Sequence, residues 1–295
     1  MSTTTATQTS DPTRTVPTRR ISFEESLATL PKHFTKDGDL ISSHLVAVLS
    51  SVFPDGEDFF VRSVRHYRGR ISDPVLKKQM SGFIGQEAMH GREHRVFNER
   101  LAELGYPTHR LERLTKWGLA MRTKLAPAKA NLAATAALEH FTATMAEALL
   151  TDPELSDDLG HEGVRNLFLW HALEESEHKA VAFDVYKAVG GSERLRVWTM
   201  KGLRYGFVFF TALQVILSLL GDKATFQRGV LRTSFRHLRE SPLVNAEMWR
   251  QLCDYDRPDF HPDDRDTTEL VDRFRTEFFG EAGTMNDLLI SSPAA

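Results

Sequence analysis

The sequence contains a single cysteine, Cys253, among its 295 residues. One thiol cannot form an intramolecular disulfide, and it cannot supply the several thiolates of a zinc–cysteine or iron–sulfur site. Such low cysteine usage is typical of a reducing compartment, so we expect a cytoplasmic location. Any metal ion bound by this chain must therefore be held by histidine and carboxylate side chains.

Strand signals and basic clusters are also scarce. Alternating β-branched runs bounded by Asn-Gly turns do not occur, whereas apolar residues recur at helical spacing. Lysine and arginine are spread along a chain of net charge −3, which argues against a nucleic-acid partner. We predict an all-α domain over residues 21–290. Residues 1–20 are threonine-rich and nearly free of apolar side chains, which predicts a disordered tail.

Long hydrophobic runs are limited to one stretch, YGFVFFTALQVILSLLG, at residues 205–221. It falls short of the about 20 apolar residues that span a bilayer, and three polar residues interrupt it. A buried helix is the default prediction. Peripheral membrane contact through residues 205–220, or the lining of a hydrophobic substrate site, is the alternative. A homodimer would also be consistent with so much apolar helix.

Two other stretches place polar residues in the middle of an apolar helical face. The face of the first stretch consists of Phe83, Glu87, His90, His94, Phe97, Leu101 and Leu104. The face of the second, which contains HALEESEHK, consists of Val164, Phe168, His171, Glu175, His178, Ala182 and Val185. Both faces have apolar ends, so their central side chains should be buried. Glu174 and Glu177 lie off the second face, and we expect them to face water.

Both faces contain Glu-x-x-His, as Glu87/His90 and Glu175/His178. On a helix this spacing directs a carboxylate and an imidazole to one side, where both can reach one ion. Two such pairs, with one glutamate from each of two further helices, form the dinuclear site of ferritin-like bundles. The alternative is a set of buried His–Glu hydrogen bonds.

The two additional glutamates are less clearly marked. Glu139 shares a helical face with small and apolar residues, although Glu147 is a rival on the same stretch. Glu57 follows FPDG, which predicts a break before a new helix. The alternative to a ligand role is a favourable interaction of Glu57 with the dipole at the start of that helix. His94 and Arg65 are candidates for hydrogen bonding to the ligands, although a solvated face is the simpler role of Arg65.

FPDGEDFFVRSVR, FIGQEAMHGREH and EESEHKAVAFDVY resemble bacterial proteins described as predicted metal-dependent hydrolases, over most of residues 20–280. The order Glu, Glu-x-x-His, Glu, His-x-x-x-Glu-x-x-His is also similar to the di-iron p-aminobenzoate N-oxygenase, a ferritin-like enzyme with one extra histidine. The resemblance implies the ligands Glu57, Glu87, His90, Glu139, His171, Glu175 and His178. His171 would be the extra histidine.

These residues predict a ferritin-like helical bundle with additional C-terminal helices and a dinuclear metal site. Carboxylate and imidazole ligands suit iron or manganese. We expect two iron ions, with manganese, a mixed pair or zinc as alternatives. The leading expectation is an oxygenase or oxidase that uses O₂ and an electron donor on a small organic or hydrophobic substrate. Hydrolysis of an ester or phosphoester by the same two metals is the second interpretation, and non-enzymatic iron binding is the third.

Overall fold

The computed structural model describes residues 11–290 and confirms the all-α prediction for that range. Its α-helices are α1 (Leu40–Arg65), α2 (Pro74–Glu103), α3 (Thr108–Leu125), α4 (Ala128–Thr151), α5 (Pro153–Asp158), α6 (Glu162–His178), α7 (Val181–Ala188), α8 (Glu193–Leu220), α9 (Val230–Glu240), α10 (Ala246–Asp254) and α11 (Thr268–Phe279). Short 3₁₀ helices occur in several of the connections, and within the described range strand pairing is limited to one isolated bridge between Ile21 and Leu289.

Four long helices form the central bundle. Helix α1 packs along α2, α4 packs along α6, and contacts of α1 with α4 and of α2 with α6 connect the two pairs. This arrangement is compatible with the ferritin-like bundle that the sequence predicts. Two hydrophobic clusters lie toward opposite ends, one around Phe83 and Phe183 and the other around Phe97 and Trp170. The polar faces of the four helices meet between these clusters.

Helix α1 continues through the predicted break at residues 53–56, because Pro54 lies inside it. A proline has no amide hydrogen, so it cannot donate to the carbonyl four residues earlier. That carbonyl belongs to Ser50, and it accepts a hydrogen bond from Asn98 Nδ2 at 3.2 Å. The side chain on α2 therefore satisfies the acceptor that the proline leaves free, and Glu57 lies in the interior of a long helix.

Residues 11–20 are ordered against the bundle, which corrects the prediction of a disordered tail for that part; residues 1–10 lie outside the described range. We call residues 14–20 the N-terminal strap. It crosses α2 at Gly82 and Gly85, where an added Cβ would lie 2.1 Å from Val16 O and 2.1 Å from Thr18 Oγ1. The two glycines therefore allow the close approach of the strap.

Helix α8 corrects the prediction that residues 205–221 form a buried helix. Its inner face packs on α1 and α4, with Gln214 and Ser218 buried. Its outer face leaves large apolar side chains in contact with solvent, including Phe209, which is 71% exposed. Of the described helices, α8 is long and apolar enough to cross a membrane by length and composition alone.

Candidate metal centre

Seven buried side chains from the four bundle helices converge between the two hydrophobic clusters. They are Glu57 on α1, Glu87 and His90 on α2, Glu139 on α4, and His171, Glu175 and His178 on α6. Each is at most 4% exposed. The structure thus brings together every residue that the sequence proposes as a ligand.

One half of the cluster surrounds His178. Its Nε2 lies 3.1 Å from Glu87 Oε1 and 3.3 Å from Glu139 Oε2. The same nitrogen lies 3.5 Å from Glu175 Oε2. Ligand atoms of Glu87, Glu139 and His178 all lie within 4.8 Å of one another, a spacing that allows them to share one ion.

The other half surrounds His171. Its Nε2 lies 3.0 Å from Glu175 Oε1 and 3.7 Å from Glu57 Oε1. His90 Nδ1 lies 3.8 Å from Glu175 Oε1 and completes this group. Glu175 turns one oxygen toward each half, and Glu87 can join His90 and Glu175 as well as Glu139 and His178. Glu87 and Glu175 therefore lie where carboxylates could bridge two ions.

Each of the three imidazoles has one nitrogen held by a neighbour outside the cluster. His90 Nε2 contacts Glu174 Oε2 at 3.1 Å, and His171 Nδ1 contacts His94 Nε2 at 2.8 Å. His178 Nδ1 contacts Gln86 Oε1 at 2.9 Å. The second nitrogen of each ring points into the cluster. Metal-binding histidines commonly have this arrangement, because the outer hydrogen bond fixes the ring and its tautomer.

Several inward-facing atoms make no hydrogen bond to the described residues, although His178 Nε2 lies within ion-pair distance of Glu87 and Glu139. They are both carboxylate oxygens of Glu57, Glu87 and Glu139, together with His90 Nδ1 and His178 Nε2. An unpaired polar atom in a protein interior costs free energy, and a buried carboxylate costs most. Divalent cations would satisfy all of these atoms at once. The donor set, four carboxylates and three imidazoles, therefore fits a pair of metal ions such as iron or manganese.

The electrostatics of the cluster are dominated by its buried carboxylates. Burial raises the pKa of the Glu57 carboxyl well above its usual range, and the charges of Glu87 and Glu175 raise it further. The pKa of Glu139 rises for the same reasons. Burial acts to lower the pKa of His178, but the adjacent carboxylates outweigh burial and raise it well above normal. Protons would compensate the carboxylates without metal, and bound cations would displace these protons.

Glu174 and Glu177 do not face water, contrary to the sequence prediction; both are buried. Arg19 Nη1 of the N-terminal strap donates to Glu174 Oε1 at 2.9 Å, and Arg19 Nη2 donates to Glu177 Oε1 at 2.7 Å. Arg275 Nε donates to Glu177 Oε1 at 2.6 Å. The prediction failed because residues 170–178 of α6 are buried on every side, so residues off the inward face pack against the strap and α11 instead of solvent.

The other sequence candidates have separate locations. His94 Nδ1 lies 2.9 Å from Ser50 Oγ, so this ring connects His171 to α1. Arg65 is exposed near the end of α1, which corrects the proposal that it contacts the ligands. Glu147, the rival of Glu139, pairs with Arg265 instead.

The family model for predicted metal-dependent hydrolases matches residues 17–266. The chain belongs to this family. Neither the curated proteins nor the solved structures contain a match. The similarity to an N-oxygenase stays a prediction.

An apolar pocket of about 90 Å³ reaches the metal-binding cluster of this family member at His171 and Glu175. Phe53, Phe168 and Leu243 form part of its wall. Thr142 also lines the pocket, and its hydroxyl donates to Glu175 Oε2. A mainly hydrocarbon-lined opening therefore leads to the cluster at these residues.

Sequence analysis did not identify Gln86, Thr142 or Arg19 as parts of the site. Gln86 precedes Glu87 directly, and a glutamine inside an apolar face is a signal that could have been used. Arg19 had no such signal, because it lies in a polar segment far from α6 in sequence. Its role depends on how the strap folds back over α2.

Proposed function

We propose that this chain is a dinuclear metal-dependent hydrolase that cleaves esters of hydrophobic small molecules. Membership of the hydrolase family supports the reaction class. The carboxylate–histidine cluster supports the requirement for metal. The observation that carries the substrate class is the apolar pocket, which ends at His171 and Glu175.

The side chains have separable roles in this proposal. Glu57, His90 and His171 would hold one ion, Glu139 and His178 would hold the other, and Glu87 and Glu175 would lie between them. When bound, two divalent ions polarise a carbonyl oxygen and lower the pKa of a water molecule. Thr142 holds the Glu175 carboxylate through its hydroxyl, and His94 holds the His171 ring.

The pocket walls favour a carboxylic ester over a phosphoester. The residues that line the pocket in the described part of the chain include no lysine or arginine that could compensate a phosphate charge. Phe53, Phe168 and Leu149 would instead pack against a hydrocarbon chain. Each methylene that leaves water contributes about 0.8 kcal/mol, so binding should strengthen with chain length until the pocket is filled.

A series of p-nitrophenyl esters with acyl chains of increasing length tests this proposal. The metal-free protein would be loaded separately with Fe(II) under anaerobic conditions, Mn(II) or Zn(II), and its metal content measured before assay. We expect two ions per chain, cleavage that a chelator abolishes, and KM values that fall with acyl length. Metal-loaded protein that cleaves none of the esters would overturn the proposed substrate class.

Oxidation of a hydrophobic substrate with O₂ is a second candidate, and the donor set favours it. One glutamate from each of two helices plus two Glu-x-x-His pairs is the ligand pattern of ferritin-like di-iron proteins. We therefore also propose measuring oxygen uptake after anaerobic loading with Fe(II). Rapid uptake of O₂ by protein that cleaves no ester would place oxidation first, whereas bound metal with neither reaction would favour a binding protein.

A further inference from the structure

The outer face of α8 exposes a row of large apolar side chains. Trp198, Tyr205, Phe209, Ile216 and Leu220 are 66%, 64%, 71%, 55% and 59% exposed, respectively. Their spacing of seven and four residues places them on one side of the helix. Isolated apolar residues are common on protein surfaces, but a continuous row of this size marks an interaction site.

Helix α3 extends this face. Arg110 of α3 donates to Gln214 of α8, and Leu111 packs in one buried cluster with Val215 and Leu219. The two helices are therefore neighbours on the outside of the bundle. The exposed side of α3 carries Leu114, Trp117, Met121 and Leu125. We call the exposed apolar side chains of α3 and α8 the apolar surface.

A basic helix borders the apolar surface. Val230 and Leu238 of α9 pack against the cluster that contains Val215 and Leu219, so α9 lies beside the end of α8. Its exposed side combines Leu231 and Phe235 with three exposed arginines, namely Arg232, Arg236 and Arg239. Helix α3 adds five lysines and arginines against one glutamate. This concentration of positive charge is local, because the whole chain has a net charge of −3.

We propose that the apolar surface and α9 form a docking site for an anionic lipid bilayer. Amphipathic helices with arginine beside aromatic and aliphatic residues bind in the plane of the membrane interface. The arginines of α9 would contact anionic headgroups, and Phe209 and Ile216 would enter the acyl region. Tryptophan and tyrosine, which favour the headgroup level, occur on the same face at Trp198 and Tyr205.

Helix α8 would lie on the membrane without spanning it, because its inner face is bound to the rest of the fold. Arg204 Nη1 donates to Leu252 O at 2.9 Å, and Arg196 Nη2 donates to Arg257 O at 2.7 Å. Both arginine side chains are buried. Insertion of the whole helix would break these bonds and would transfer two guanidinium groups into hydrocarbon.

A second copy of this chain fits the surface less well than a bilayer does. A two-fold dimer brings the same patch of both subunits together. The arginines of α9 and the lysines of α3 would then gather at one interface, to which α3, α8 and α9 contribute only Glu112, Glu193 and Glu240 as acidic residues. Anionic lipid provides the complementary charge.

The apolar pocket lies close to α9 in the chain, so docking on a membrane would affect how a substrate reaches the pocket. Leu243, in the 3₁₀ helix Pro242–Val244 directly after α9, lines the pocket that reaches His171. A hydrophobic ester dissolved in the bilayer would therefore meet the protein near the pocket. This consequence rests on the proposed function, whereas docking itself does not.

Flotation of the full, metal-loaded chain with vesicles tests the docking site without an activity assay. Vesicles of phosphatidylcholine alone would be compared with vesicles that also contain phosphatidylglycerol. We expect binding to the anionic vesicles that weakens as salt concentration rises. The double variant Phe209→Glu/Ile216→Glu should lose this binding, and Arg232→Glu/Arg236→Glu should weaken it by about tenfold or more.

The matched control is Lys77→Glu/Lys78→Glu, which makes the same charge change at exposed positions on α2. This control should float like the unmodified protein, and all variants should keep their metal content. Equal flotation of every variant, or no flotation with anionic vesicles, would overturn the proposal. A dimer in solution that Phe209→Glu/Ile216→Glu dissociates, without vesicle binding, would assign the surface to a second copy instead.

Discussion

His94 Nε2 lies 2.8 Å from His171 Nδ1, and the opposite nitrogen of His171 points at Glu175 and Glu57. A buried imidazole on α2 thus orients an imidazole on α6. Ser50 on α1 holds His94 from the other side at 2.9 Å. Three helices therefore determine the direction of one nitrogen in the cluster.

Replacement of His94 should weaken metal binding without removing a ligand. We expect His94→Ala to lower the affinity for one of two ions by about 10- to 100-fold, the usual effect of losing an outer hydrogen bond to a metal-binding histidine. Competition with a chelator would measure the affinity, and His66→Ala, at the exposed histidine that follows the last residue of α1, is the control. Equal affinities for the two variants would show that His94 does not orient His171.

Glu175 should matter to both ions, because each of its oxygens faces a different half of the cluster. We expect Glu175→Ala to reduce the bound metal from two ions to fewer than one per chain. Glu147→Ala removes a carboxylate that pairs with Arg265 and should leave both ions in place. Elemental analysis after gel filtration distinguishes these outcomes, and full metal content in Glu175→Ala would exclude this carboxylate as a bridge.

Arg19 should contribute strongly to stability. Its removal leaves Glu174 without its guanidinium partner and leaves Glu177 with Arg275 and Gln86 as its remaining partners. We expect Arg19→Ala to lower the free energy of unfolding by about 3 kcal/mol. This value is near the lower limit for breaking a buried ion pair, because Arg275 still pairs with Glu177. Urea unfolding would be compared with that of Arg20→Ala, at the exposed neighbouring position, which should stay close to the unmodified protein. Similar midpoints for both variants would show that the strap contact is not stabilising.

Gly82 should not tolerate a side chain. A Cβ at this position would lie 2.1 Å from Val16 O, so Gly82→Ala must displace the backbone of the strap. We expect a loss of about 1–3 kcal/mol, the usual cost of overpacking. Gly118→Ala on α3 meets no atom within 4 Å, and its higher helix propensity should stabilise by up to about 1 kcal/mol. Thermal or urea unfolding of the two variants should therefore shift in opposite directions, and a shift in the same direction would contradict the close approach.

The sequence by itself determined the helical fold and predicted the seven residues that the structure brings together in one buried cluster. Helical period places Glu87 with His90, and Glu175 with His178, on one side of a helix, and this spacing is local geometry that needs no tertiary information. Glu139 was preferred to Glu147 because small residues share its helical face. The family was also visible in short motifs, and the match over residues 17–266 confirms it.

Tertiary structure decided which other surfaces are buried. Periodicity assumes one buried face for each helix, and this assumption failed in both directions. Residues 170–178 of α6 are buried on every side, so Glu174 and Glu177 pair with Arg19 instead of water. Helix α8 is apolar on its outer face but lies at the periphery, so that face is exposed. Burial depends on what packs against a helix, and those partners come from parts of the chain that are distant in sequence.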